Sequence, residues 1–273
     1  MADAVAAAVR AVAGTEAGRR RLSIGAGGDR TAEVDRVAEE AVVAVCERLA
    51  ATGMTFLLRS EELGDRSFGA DRPLLLVDPV DGSLNAMAGL PYYCTSLALL
   101  DGETLGDTVC GVVRSLSGPG MFSAVRGGGA WRDGVRLEPL RVSLGEGGRI
   151  PLVVLEAHRS FGRAADPGHA PLAALLRTAG RVRMLGSAAL SLCHTATGAA
   201  SVLVAPDGMR PWDCAAGLLV LHEVGAVVTD LAGASIAGVP ARMGASTPVV
   251  ASLDPAVHQR ALSLLAEGQE GSG

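Results

Sequence analysis

The chain has 273 residues, of which 49% are hydrophobic and only 3% aromatic, and its formal net charge is −5. That apolar fraction excludes disorder as the main state, the absence of an 18-residue apolar run excludes a membrane-spanning helix, and the mildly acidic balance argues against a nucleic-acid partner. All the basic residues are Arg, so lysine Schiff-base chemistry and a P-loop lysine are excluded too.

Residues 1–22 read as an amphipathic helix, and the start Met-Ala-Asp-Ala-Val carries no basic leader region, so a cytoplasmic protein is expected. Arg19-Arg20-Arg21 reads as a solvated helix end. A Gly-rich loop at 25–29 precedes a second helix over 31–50, where Val34, Val37, Ala38, Ala41, Val42, Val45, Cys46 and Leu49 recur at helical spacing. Short apolar runs at 55–58 and 74–77 predict buried strands, and 96–100, 108–113 and 121–125 continue the strand pattern. The Gly127-Gly-Gly129 run and Asp133-Gly134 punctuate a hairpin carrying Trp131. A Gly-rich stretch at 145–148 places a soft boundary between an N-terminal subdomain, 1–146, and a C-terminal one, 147–273. Beyond it, strands are predicted at 152–155, 202–205, 226–229 and 249–252, helices at about 170–179, 187–197 and 213–224, a closing helix at 255–267, and a frayed tail at 268–273. Runs of strands mixed with βα units give the class α+β or layered α/β. Five cysteines, an odd number without zinc or redox spacing, read as free buried thiols.

The chemistry gathers in Leu74-Leu-Leu-Val-Asp78-Pro-Val-Asp81-Gly82-Ser83-Leu-Asn85. A buried strand runs into two acids three residues apart, then Gly and a hydroxyl. Pro79 is expected to stop the ladder. If the chain turns helical after Gly82, the amides of Gly82 and Ser83 converge like a phosphate cradle. Taken alone, these are equally turn residues. Glu61 and Glu62 follow the preceding strand, and Asp213 starts an apolar helix, where a first-turn acid has a purely structural use. If all converge, each pair of like charges at ~4 Å costs ~4 kcal/mol at an effective dielectric of ~20. Either the carboxyls take up protons or cations sit between them, and an all-oxygen set suits Mg²⁺.

These segments, with Gly27-Gly28-Asp29, Thr31-Ala-Glu-Val-Asp35, Ser60-Glu61-Glu62, Gly186-Ser187-Ala-Ala and Trp212-Asp213-Cys-Ala-Ala-Gly, resemble the inositol monophosphatase family over about residues 28–254, and its archaeal inositol monophosphatase/fructose-1,6-bisphosphatase branch above all. The resemblance implies a layered αβαβα sandwich, a homodimer, and two or three Mg²⁺ ions. It implies Glu61, Asp78, the Val80 carbonyl, Asp81 and Asp213 as metal ligands, and Asp35, Glu61 and Ser83 as the catalytic set acting on water. Gly82, Ser83, Gly186 and Ser187 would meet the substrate, with Asp207 and Arg210 on the leaving-group side. Ser60 replaces a frequent Gly, Ser83 a usual Thr, and Pro206 a frequent Glu. The implied activity is hydrolysis of a small phosphorylated polyol, inositol monophosphate first. Fructose 1,6-bisphosphate, a nucleotide or a pathway-specific sugar phosphate are alternatives, and a non-catalytic metal or phosphosugar binder is the rival from another class. Haloacid-dehalogenase phosphatases need one residue between their acids, and here there are two. His158, His194 and His222 read as structural or surface residues, Tyr92 and Tyr93 as packing or interface.

Overall fold

The computed structural model describes residues 1–28, 30–157 and 170–270. Five layers stack as αβαβα. The outer helices α1 (Ala2–Arg10) and α2 (Glu33–Ala51) cover one sheet, and the apolar stripe Val34, Ala38, Val42, Cys46 is buried against Phe56, Leu58 and Val77. A small hairpin, β1 (Arg21–Ile24) and β2 (Arg30–Ala32), leads into α2.

The first sheet has seven strands in chain order: β3 (Phe56–Ser60), β4 (Gly64–Asp81), β5 (Cys94–Leu100), β6 (Thr108–Ser115), β7 (Met121–Val125), β8 (Gly129–Arg132) and β9 (Val135–Arg136). The second has β10 (Ile150–Leu155), β11 (Ala179–Arg183), β12 (Val202–Met209), β13 (Val227–Thr229) and β14 (Thr247–Ser252), in the order β11-β10-β12-β14-β13. Between the sheets lie α5 (Ala188–Ala196) and α6 (Pro211–Glu223), and beyond the second sheet lie α4 (Ala170–Thr178) and α7 (Pro255–Glu270). A helix between two sheets has no wet face, which is why α6 buries every residue from Cys214 to Leu221. Small residues let the layers close: a Cβ on Gly111 of β6 would lie 2.9 Å from Ala216 Cα.

Five elements depart from the sequence reading. The first helix ends at Arg10 rather than 22, because Thr15 Oγ takes the Val12 carbonyl (2.6 Å) and itself accepts the Gly18 N–H (3.1 Å), closing turns in place of helix. Arg21 pairs with Ala32 across β1–β2, so the basic triplet ends in a strand: Arg19 Nε reaches the Met87 carbonyl (2.7 Å) and Arg20 pairs with Glu33 (3.1 Å). The acidic strand is longer than its apolar run. Residues 64–68 fold back along β3, with Ser60 opposite Gly64, and 74–77 run parallel to it, with Ser60 opposite Val77. The edge strand β11 was not predicted at all, since Ala-Gly-Arg-Val-Arg has only one large apolar residue. The helix predicted to 267 continues to Glu270; residues 271–273 of the tail, Asp29 and His158 lie outside the described residues.

Candidate active site

Pro79 does not stop the ladder. Asp78 stands opposite Ser96 and Asp81 opposite Cys94, so three steps along β4 match two along β5. This one-residue bulge has a large consequence. In a regular strand, residues three apart point to opposite faces; the extra residue returns both acids to one face. Proline is tolerated there because a bulge leaves a ladder position unpaired.

Neighbouring segments add the other acids. The Glu61 N–H donates to the Val77 carbonyl (3.2 Å), which seats Glu61 beside Asp78. Asp213 lies in the first turn of α6 and accepts the Arg210 N–H (3.2 Å), while Ser96 Oγ donates to the Trp212 carbonyl (2.9 Å) and anchors that turn over β5. Oxygens of Glu61, Asp78 and Asp213 lie within 4.8 Å of one another. Arg210, expected on the leaving-group side, donates from Nη1 to Glu61 Oε1 (2.6 Å).

Asp81 faces a different set. Its carboxylate accepts from Ser187 Oγ (2.6 Å) and from the Ala188 and Ala189 N–H groups (3.1 and 2.8 Å) at the start of α5. Gly82 follows with φ +89°, and a Cβ there would lie 2.9 Å from the Gly186 carbonyl and 3.1 Å from that of Tyr92. Both the left-handed backbone and the lack of space require glycine. Helix α3 (Ser83–Ala88) begins at the half-buried Ser83, and Asn85 Nδ2 donates to the carbonyls of Tyr92 and Leu185, each at 2.7 Å. Gly82 and Ser83 therefore sit against the Gly186-Ser187 turn.

Burial is the main cause that pushes the Asp78 carboxyl well above its ordinary range, and Glu61, Asp81 and Asp213 push it further. Asp81 is raised by burial too, but Ser187 and the two amides oppose the rise. Three gathered carboxylates with a buried, disfavoured charge among them fit a hard divalent cation, which would relieve both desolvation and repulsion. The buried Val80 sits inside the bulge, its N–H donating to Asp78 Oδ1 (2.9 Å).

The other expected residues have settings of their own. Asp35 is buried in the first turn of α2 and accepts the Ala32 N–H (2.7 Å); burial pushes its carboxyl up to about 7 against that bond, and Glu62 adds to the rise. Glu62 turns away from Glu61 and accepts from Thr31 Oγ. Asp207 is half-buried at the end of β12, near its register shift against β14. His194 packs between Tyr92 and Phe122, and His222 is 78% exposed.

The buried acids Glu39 and Glu156 escaped the sequence reading. Glu39 accepts from Ser60 Oγ (2.5 Å), directly before Glu61. Glu156, 4% exposed, accepts from Ser191 Oγ (2.6 Å), and burial pushes it up to about 7 although the Gly186 and Leu185 amides oppose this. A signal for Glu156 was present: it ends the apolar run Ile150–Leu155 just as Asp78 ends Leu74–Val77.

Known proteins agree with this architecture. The model of the inositol monophosphatase family matches residues 1–270. A fructose-1,6-bisphosphatase/inositol-1-monophosphatase of Methanothermobacter thermautotrophicus is 30% identical, covering 97% of this chain and 94% of that protein. An inositol-1-monophosphatase of Mesorhizobium japonicum is 33% identical, covering 78% and 76% respectively. The crystal structure of extragenic suppressor protein suhB from Bartonella henselae superposes with a TM-score of 0.79 at 25% identity, covering 98% of this chain and 96% of that one. The chain belongs to the inositol monophosphatase family and is a phosphoric monoester hydrolase.

Proposed function

We propose that this phosphatase is Mg²⁺-dependent and hydrolyses a small phosphorylated polyol, inositol monophosphate first, with water as the nucleophile. The observation that carries the reading is the convergence of Glu61, Asp78 and Asp213 around the buried end of β4. Glu61, Asp78, Asp81, Asp213 and the Val80 carbonyl are the residues assigned to hold two or three ions. Bound there, Mg²⁺ supplies charge stabilisation of the phosphate oxygens and a lowered pKa for water.

The remaining work falls to the chain. The Gly82 and Ser83 amides hold the phosphate against the α3 start. Ser83 Oγ orients the attacking water with Glu61, and Asp35, raised to about 7, accepts its proton near neutral pH. The exposed Gly186 and the half-buried Asp207 meet the leaving-group hydroxyls, and the buried Ser187 holds Asp81 behind them. Most of the acceleration comes from positioning and from charge placed before the reaction begins. The resemblance also supports a homodimer. The name of the Methanothermobacter relative favours fructose 1,6-bisphosphate as a second substrate.

The test is phosphate release from inositol, sugar and nucleotide monophosphates and from fructose 1,6-bisphosphate, with and without Mg²⁺. Mg²⁺-dependent release, fastest from inositol monophosphate, is expected. Metal binding without release from any ester of the panel would leave a non-catalytic binder in its place.

A further inference from the structure

Arg210 stands among the carboxylates. Its Nη1 donates to Glu61 Oε1 at 2.6 Å, and its backbone N–H donates to Asp213 Oδ2 at 3.2 Å. Glu61 and Asp213 are two of the three acids whose oxygens lie within 4.8 Å of one another. One residue thus binds, through its side chain and its backbone, two acids brought from distant parts of the sequence.

The slot around the pair is built closely. The Arg210 and Glu61 side chains are only 25% and 16% exposed. The guanidinium carbon lies 5.8 Å from the Trp212 ring centroid, and the Gly27 N–H donates to the Glu61 carbonyl at 2.7 Å. A Cβ on Gly27 would come within 2.9 Å of Glu61 Cγ and 3.4 Å of Arg210 Nη1, so a single methyl group would crowd both partners. As the residue before Pro211, Arg210 is in the extended conformation that precedes a proline, at the N-cap of α6. Its backbone is therefore constrained next to the ion pair.

The charges explain what this arrangement does. Three acids, Glu61, Asp78 and Asp213, gather at the end of β4, and Asp81 follows on the same strand. The charge of Asp81 is met by Ser187 and two amides of α5. For the rest, Arg210 brings a full positive charge into direct contact with Glu61. A divalent ion taken up by Glu61 would meet that guanidinium within ångströms, in a half-shielded setting where repulsion is weakly screened.

We propose that Arg210 is a built-in counter-cation of the metal site: it holds Glu61 and Asp213 in place when no metal is bound, and it opposes the ion that Glu61 would ligate, making that ion the weakest held of the set. The proposal rests on the metal-dependent reading above and extends it, because it makes metal occupancy on the Glu61 side tunable by one side chain. Arg210 acts here through Glu61 and is a positioning residue.

The experiment uses the whole chain, stripped with chelator and free of substrate. Mg²⁺ binding is followed by calorimetry and Mn²⁺ binding by paramagnetic resonance, for wild type, Arg210→Gln and Arg210→Lys. Melting is measured in EDTA and in saturating Mg²⁺. Arg210→Gln is expected to bind its weakest ion at least tenfold tighter, to melt lower than wild type in EDTA, and to match it in Mg²⁺. Arg210→Lys, which keeps the charge, should stay near wild type in both. An Arg210→Gln isotherm equal to or weaker than wild type would overturn the proposal, as would a melting loss of the same size with and without metal, which marks a merely structural contact. Lost turnover with unchanged metal binding would also overturn it and return Arg210 to the leaving-group side. Wild type binding neither ion would instead bring down the metal-dependent reading, and this proposal with it.

Discussion

Asp78 and Asp81 are three residues apart, share one face of β4 and are both buried, yet their surroundings are opposite. Asp78 looks onto Glu61 and Asp213, and these like charges add to burial in raising its carboxyl. Asp81 looks onto the start of α5, where a hydroxyl and two amides support its charge. Burial raises both carboxyls, but the first has one amide, that of Val80, set against its neighbouring acids, whereas the second has a hydroxyl and two amides set against its burial. A buried carboxylate cluster of this kind fits a cation, with one wall already fixed.

Neutralising each acid in turn should separate the two settings. Asp78→Asn carries the largest expected effect: loss of Mg²⁺-dependent turnover by a factor of about a thousand, in line with removing a group that holds charge at the reacting centre. In EDTA the same variant should melt higher than wild type, because a disfavoured buried charge has gone. A lower melting point for Asp78→Asn in EDTA would contradict the disfavoured charge assigned to Asp78.

Asp81→Asn should also cut kcat to below a tenth, but here stability falls as well. The charge-assisted bonds from Ser187, Ala188 and Ala189 are weakened, which costs about 1–3 kcal/mol. At about 2–4 °C per kcal/mol for a chain near this size, calorimetry can read the drop. If both variants shift the melting point in the same direction, the contrast between the two acids is wrong.

The smallest effect is a dependence on pH. Burial pushes Asp35 and Glu156 up to about 7 in the folded chain, whereas an unfolded carboxyl titrates near pH 4. Between those values the folded state holds more protons than the unfolded one, so stability is greatest at the acid end and is lost as pH rises from about 4 to about 7. The melting point in EDTA should therefore fall across that window. Glu156→Gln should flatten part of the slope while leaving metal binding at Glu61 unchanged. A melting curve that rises across the same window would refute the raised values.

Much of the fold could be read from pattern. Helix α2, the apolar core of β4, the β7–β8 hairpin and α6 all carry the period or the turn residues that name them, and each buries the face its pattern predicts. The strands that escaped notice, β1, β2 and β11, are short and carry few large apolar residues, so it is pairing with a neighbour that makes them strands. Within the site, the acid types and the Gly82-Ser83 turn were visible because chemistry constrains residue identity. Glu156 was missed because a lone acid after an apolar run looks like surface, and Glu39 because it stands beside Glu40 on the polar side of the helical period; only the partners, Ser191 and Ser60, arriving from other elements mark them as buried.

What the sequence determined by itself is the set of donors: which residues bear oxygen, and which apolar runs carry them into the interior. Only the tertiary structure decided where those oxygens point. The bulge at Pro79 sets Asp78 and Asp81 on one face, α5 claims Asp81, and Arg210 turns to Glu61. Side-chain direction depends on register and on partners far along the chain, and neither is written in local composition.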